Sequence, residues 1–194
     1  MILIDCQTEL ALTVSSIDGQ ILLKNTVSLA KAAKSFNIPT ILTTIRARSF
    51  GGPIFPQLEK IFPDRKPIDC NTMSVWEDRN VVAEVRKTCS KKLVMSGVWT
   101  DFCVALSTVH ALKDGYEVYV VTDACGDLSV RAHEMAIERM IQAGAVTITL
   151  SKVLLELQCN RVRKDTSFVR PSGDGEEFNK CYGPGYLGDH FFHP

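Results

Sequence analysis

Neither sign of charge is in excess in this chain: lysine plus arginine and aspartate plus glutamate both total 22, giving zero net charge at pH 7. Such a balance argues against electrostatic capture of nucleic acid or of a membrane surface. No apolar run approaches the ~18 residues that a bilayer-spanning helix needs, and no secretory leader pattern opens the sequence. Histidine is scarce and late. The four residues His110, His133, His190 and His193 all lie beyond the middle, so no Asp/His metal cluster can be assembled on the first half. A phosphate loop is missing too, because Gly51-Gly52-Pro53 lacks a following Lys-Ser or Lys-Thr. The seven cysteines include no CxxC pair. An odd number without disulfide or zinc spacing points to a reducing compartment, with the cytoplasm as the expected location.

What is present suits one soluble α/β domain. The 194 residues are 45% hydrophobic and 23% charged, enough for a single sizeable core. Short Ile/Val-rich runs alternate with longer amphipathic segments. Strands are expected at 2–4, 40–44, 93–95, 118–121 and 146–149, with a weaker one near 66–69. Helices are expected over 20–36, 78–88, 100–114, 129–143 and 153–159. Asn37-Ile-Pro39, Lys113-Asp-Gly115 and Gln142-Ala-Gly144 each break a helix just before a strand. Strands joined through helices imply parallel βαβ crossovers and a sheet covered on both faces. Residues 1–160 form this domain. Residues 161–194, rich in Gly, Pro, charge and aromatics, show no period and read as an irregular tail or arm.

In such a sheet the binding crevice lies at the carboxyl ends of the strands. The residues just past them therefore become candidates: Asp5 and Cys6, Arg46, Cys70, Trp99 to Cys103, and Asp123. Lys92-Leu-Val-Met-Ser-Gly-Val-Trp-Thr-Asp-Phe-Cys103 carries the most information. It reads as strand, tight turn and helix start, with a cysteine in the first helical turn. Free N–H groups and the positive end of the helix dipole would favour a thiolate there. The backbone N–H groups of Phe102 and Cys103 are candidates for holding an oxyanion. Asp5, after the first strand, could take the thiol proton and return it to a leaving amine. Val98-Trp99 invites an unusual peptide geometry, with Trp99 as a pocket wall. The structural alternatives are a small buried Cys103, a solvated or capping Asp5, and plain packing of Trp99.

Ile-Leu-Ile-Asp5-Cys-Gln7, Ser-Gly97-Val-Trp-Thr100-Asp-Phe-Cys103-Val and Val-Thr-Asp123-Ala-Cys-Gly126 together resemble the isochorismatase-like cysteine hydrolases. Asn37-Ile-Pro-Thr40, Phe62-Pro63-Asp64, Trp76-Glu-Asp78 and Arg139-Met-Ile-Gln-Ala-Gly144 resemble their YcaC-like branch. The resemblance implies a Rossmann-like three-layer α/β/α sandwich around a six-stranded, mostly parallel sheet. It implies an Asp–Lys/Arg–Cys triad hydrolysing C–N bonds of small amide-like substrates through a covalent thioester, with Asp5 and Cys103 in the outer two positions. It also implies homo-oligomers, a small-molecule substrate and, on this branch, neither metal nor other cofactor. Cys70 stands about where the triad's cation belongs, and Cys6 where many of these chains have histidine. Cys6, Cys70 and Cys103 would then line one pocket, close enough for a soft metal or a Cys70–Cys103 disulfide. Loss of the cation also admits a catalytically impaired relative that serves as an oligomeric binding or scaffold protein.

Overall fold

The computed structural model describes residues 1–158; the expected arm over 161–194 lies outside the described residues. Six strands, β1 Ile2–Ile4, β2 Ile41–Ile45, β3 Ile68–Cys70, β4 Lys92–Gly97, β5 Glu117–Val121 and β6 Val146–Ile148, form one sheet in the order β3-β2-β1-β4-β5-β6. Every pairing is parallel. The helices are α1 Thr8–Ala11, α2 Gly19–Ser35, α3 Pro56–Ile61, α4 Arg79–Lys87, α5 Ala105–Lys113, α6 Val130–Gln142 and α7 Leu150–Gln158.

Strand alternation divides the core. Leu3 and Cys6 pack with Leu22 and Leu29 of α2, Leu58 of α3 and Val153 of α7 on one face. Ile2 and Ile4 pack with Val85 of α4, Ala111 of α5 and Met140 of α6 on the other. Side chains two apart on a strand share a face, so one residue of offset decides which layer a group enters. Asp18, Asp78 and Ser129 cap α2, α4 and α6 by accepting first-turn N–H groups, which orphan donors require.

The helix expected over 100–114 is two pieces: one turn of π-helix at Thr100–Val104, then α5. The short α1 and α3 and a π-turn at Ala47–Gly51 have too few residues for a legible period.

The chain leaves β1 for β2 on one side and reaches β4 on the other, so the topological switch point lies between β1 and β4. Gly97 makes that junction close, since a Cβ there would sit 2.2 Å from the Ile4 carbonyl oxygen. Gly97→Ala should cost about 1–3 kcal/mol, the usual range for overpacking. Gly19→Ala, a position with open space around it, should be neutral or mildly stabilising. Urea midpoints at unchanged slope check both, and equal midpoints for the two variants would contradict the close-approach argument.

Candidate active site

Three strands end in left-handed backbone where they meet this edge: Asp5 follows β1 (φ 50°), Arg46 follows β2 (φ 44°) and Trp99 follows β4 (φ 60°). Each such residue stores roughly 1–3 kcal/mol and persists only where its surroundings enforce it. Gln7 does part of that enforcing. Its buried amide accepts from the Ile45 N–H at 2.7 Å and donates to the Ile45 and Gly52 carbonyls at 3.2 and 2.6 Å. A Cβ on Gly51 would lie 2.3 Å from its Nε2, so glycine is required there. Gln7 thus ties the end of β1 to the end of β2 and to the turn beyond it.

Asp5 is fully buried. Thr43 Oγ1 donates to its Oδ1 at 2.7 Å and accepts its backbone N–H at 3.2 Å. The Cys103 thiol is the carboxyl's other side-chain donor. That contact is loose, because Oδ2 has no partner at full hydrogen-bonding geometry. Burial pushes the Asp5 carboxyl above the ordinary carboxylate range, opposed by Thr43 and Cys103 and reinforced by Asp69. The Cys103 thiol is likewise buried and pushed up, first by desolvation, then by the charge and hydrogen bond of Asp5, then by Asp127 and Cys70. Burial and the neighbouring Asp5 thus work against the thiolate expected at a helix start. Phe102 and Cys103 both donate their N–H groups to the Trp99 carbonyl, at 3.2 and 2.9 Å, so the proposed oxyanion donors are already engaged.

The structure brings Asp5, Cys70 and Cys103 together and sends Cys6 elsewhere. Cys70 and Cys103 lie in the α4–α6 core layer, and both feel Asp5. Cys70 is pushed up to about 12 by burial and by Asp5, Asp78 and Asp69. Cys6 lies in the opposite layer, its thiol on the Ile4 carbonyl at 3.6 Å; plain alternation would put it on the face of Ile4, and the left-handed Asp5 between them breaks that alternation. The three-thiol convergence is thus corrected. Cys6, Cys70 and Cys103 are free thiols, and no group of three His, Cys, Asp or Glu among the described residues is placed to hold a metal. Among the described residues the basic side chains considered for the triad's middle position, Lys66, Arg46 and Arg79, are all exposed.

Trp99 does not have a cis peptide before it, since the described residues contain none; its left-handed φ makes the turn instead. Its ring lies edge-on to Phe50 at 5.5 Å and tilted 6.0 Å from Phe102, with Nε1 donating to Thr13 Oγ1 at 2.9 Å. Phe50 and Phe102 are 43% and 41% exposed, so the three rings form an open rim at the carboxyl edge. Cys103 itself has no exposed surface, so a substrate reaches it only when part of this packing moves. An apolar cavity of about 300 Å³ opens at the opposite edge, among Ile2, Ile41, Leu93 and Val153; none of these site residues lines it.

Sequence reasoning missed the brace behind the nucleophile turn. The buried Asp127 accepts the Asp101 N–H at 2.7 Å and the Leu128 N–H at 2.8 Å, and His133 Nδ1 lies 2.9 Å from Thr100 Oγ1. His133 is half-buried, and burial lowers its proton affinity against the pull of Asp127 and Glu134. The only available signal was Asp127 following the strand-end motif, four residues past Asp123.

The fold agrees with the comparisons. The Isochorismatase domain profile matches residues 1–152, and the chain belongs to that family. It is 36% identical over 158 residues to the "Probable hydrolase YcaC" of Escherichia coli K12, covering 81% of this chain and 76% of that protein. The crystal structure of the E. coli YcaC gene product, described as an octameric hydrolase of unknown specificity, superposes with a TM-score of 0.80 over 82% of this chain and 78% of that one. YcaC from Pseudomonas aeruginosa, solved with hexane-2,5-diol and covalent acrylamide, is 35% identical with a TM-score of 0.80, over 82% and 79%.

The Asp5 environment yields a pH prediction. Below the ordinary carboxylate range Asp5 is protonated in folded and unfolded chains alike and costs nothing. As pH rises through its raised folded value, the folded state must bury a charge that the unfolded state leaves in water, and stability is lost. Asp5→Asn cannot ionise. It should therefore melt several degrees above the parent at pH 8, at about 2–4 °C per kcal/mol for a chain this size, with the gap closing toward pH 4. Thermal melts across that range test it; a gap that widens on acidification contradicts the assignment.

Proposed function

We propose that this chain is a cysteine hydrolase that cleaves a C–N bond of a small amide-like substrate through a covalent thioester on Cys103. The carrying observation is the buried carboxyl–thiol pair at the switch point of a parallel sheet, with one carboxylate oxygen left without a full partner. Asp5 takes the thiol proton as sulfur attacks the carbonyl carbon, then returns it to the leaving amine. Water hydrolyses the thioester and restores the thiol. A raised carboxyl suits both halves of that exchange, because it binds the proton firmly enough to carry it. For Phe102 and Cys103 to hold the oxyanion, the Trp99 carbonyl must release their N–H groups. The covalent acrylamide on the P. aeruginosa relative, a small amide attached to a homologous protein, supports amide-sized ligands. The octameric E. coli relative supports a homo-oligomer, and the free thiols suit the cytoplasm.

A second reading, an impaired relative retained as an oligomeric binding or scaffold protein, is favoured by the sealed sulfur and by a cysteine at the place of the triad's cation. Ammonia release from a panel of small primary amides separates the two. Cys103→Ala should abolish turnover with an unchanged melting profile, and Asp5→Asn should lower it by about 10²–10⁴-fold, the usual range for a lost acid–base group. Equal turnover by parent and Cys103→Ala would end the hydrolase reading, and no turnover by either would favour the scaffold.

A further inference from the structure

Three observations converge on the substrate's charge. The first is a one-sided set of ions. Asp5 and Asp127 are buried beside Cys103, and Asp69 and Asp78 lie around Cys70. Among the described residues the ion pairs are Lys87–Glu84, Arg131–Glu134 and Lys152–Glu156, each joining near neighbours on one helix. None involves these four carboxylates. Arg46 and Arg48 flank the rim but are exposed, where water and salt screen them. The second is the rim itself: Phe50, Trp99 and Phe102 present aromatic rings at the mouth of an acidic site, and ring faces attract cations. The third is that the Phe102 and Cys103 N–H groups are already bonded to the Trp99 carbonyl, which leaves them poorly placed for an oxyanion.

Building on the cysteine-hydrolase reading, we propose that the site takes a small amidinium-type cation, an amidine or guanidine, whose own charge stands in for the basic side chain that Cys70 does not provide. Asp5 takes the Cys103 proton, sulfur bonds to the amidinium carbon, and the C=N electron pair moves onto nitrogen. Thiolate and cation combine into a neutral tetrahedral adduct, so no oxyanion arises. Asp5 returns the proton to one nitrogen and the C–N bond breaks, releasing ammonia or an amine and leaving a cationic thioimidate. Water adds, the carbonyl forms, and sulfur leaves as the thiol. The balance is amidinium plus water giving amide plus ammonium. An anionic substrate would meet the same carboxylates as repulsion, and a neutral amide would lack the charge that draws it in.

Three alkylating agents with one leaving group test this on the full chain: 2-chloroacetamidine (cation), 2-chloroacetamide (neutral) and chloroacetate (anion). Each rate at Cys103, located by peptide mass, is divided by the agent's rate with free cysteine. The amidinium should exceed the carboxylate by at least tenfold, with the amide between them. Acetamidine should protect Cys103 from chloroacetamide, and acetate should not. Cys70→Lys, which restores a cation, should shrink or reverse the order; the protection experiment stands even if that variant fails to fold. Labelling of Cys103 without charge preference, or faster by chloroacetate, overturns the cationic substrate and leaves the hydrolase standing. Absence of labelling by all three, with Cys103 reactive in urea, overturns both.

Discussion

A carboxyl and a thiol share a buried corner with no Lys or Arg acting on either among the described residues, and the rest of the site follows from that. Two like charges about 4 Å apart repel by roughly 4 kcal/mol at an effective dielectric of ~20, and burial adds a desolvation cost to each. Asp5 and Cys103 therefore cannot both ionise at rest. Asp5 strengthens the thiol's hold on its proton, whereas the hydrogen bond from Cys103 favours the charged form of Asp5 against the cost of its burial. This is a poor arrangement for a permanently activated nucleophile. It suits one that is activated only when something else arrives, because a ligand that stabilises negative charge lowers the cost of moving the proton from sulfur to carboxyl.

Holding that corner together takes backbone strain. Left-handed residues end β1, β2 and β4, and each aims a side chain or a carbonyl that extended backbone would turn away. Close approach at Gly97 brings β1 against β4, Gln7 locks β1 to the β2 turn, and Thr43 fixes one oxygen of Asp5 from the neighbouring strand. On the far side Asp127 and His133 brace the first residues of the nucleophile turn. Most of these partners come from other strands or loops, so the geometry is enforced by tertiary contacts and not by any helix dipole.

That origin explains what could be read in advance. Strand positions were legible because each is a short apolar run bounded by a breaker, and the pairing of Asp5 with Cys103 followed from both lying just past a central strand. The extra βαβ strand near 66–69 was placed early by two residues, because Asp69 points outward to Thr44 and Ala47 and interrupts the apolar run. Cys6 was grouped with the other two thiols, and plain alternation would indeed put it on the face of Ile4; the left-handed Asp5 breaks the alternation and turns Cys6 to the opposite layer. The thiol's character was misread because the helix start was weighed without burial and the Asp5 charge, which favour the neutral form, and the Trp99 carbonyl also takes the Phe102 and Cys103 N–H groups expected to be free. Gln7, Asp127 and His133 were invisible as a set, because the Gly52, Asp101 and Thr100 groups they hold lie 26 to 45 residues away in sequence.

The family assignment fixes architecture more tightly than chemistry, and Cys70 shows why. A lysine or arginine at that place would contribute three effects together: it would lower the thiol's proton affinity, keep the carboxylate ionised and attract negative ligands. A cysteine contributes none of these and, pushed up to about 12, stays uncharged at neutral pH. The protein fold tolerates the exchange, since a thiol is small and packs well in an apolar layer. The reaction does not tolerate it without compensation, because the transition state for sulfur attack develops charge that something positive must meet. Within the described residues that charge is not supplied beside the sulfur. The aromatic rim above a pair of buried carboxylates is the kind of entrance a small cation would use.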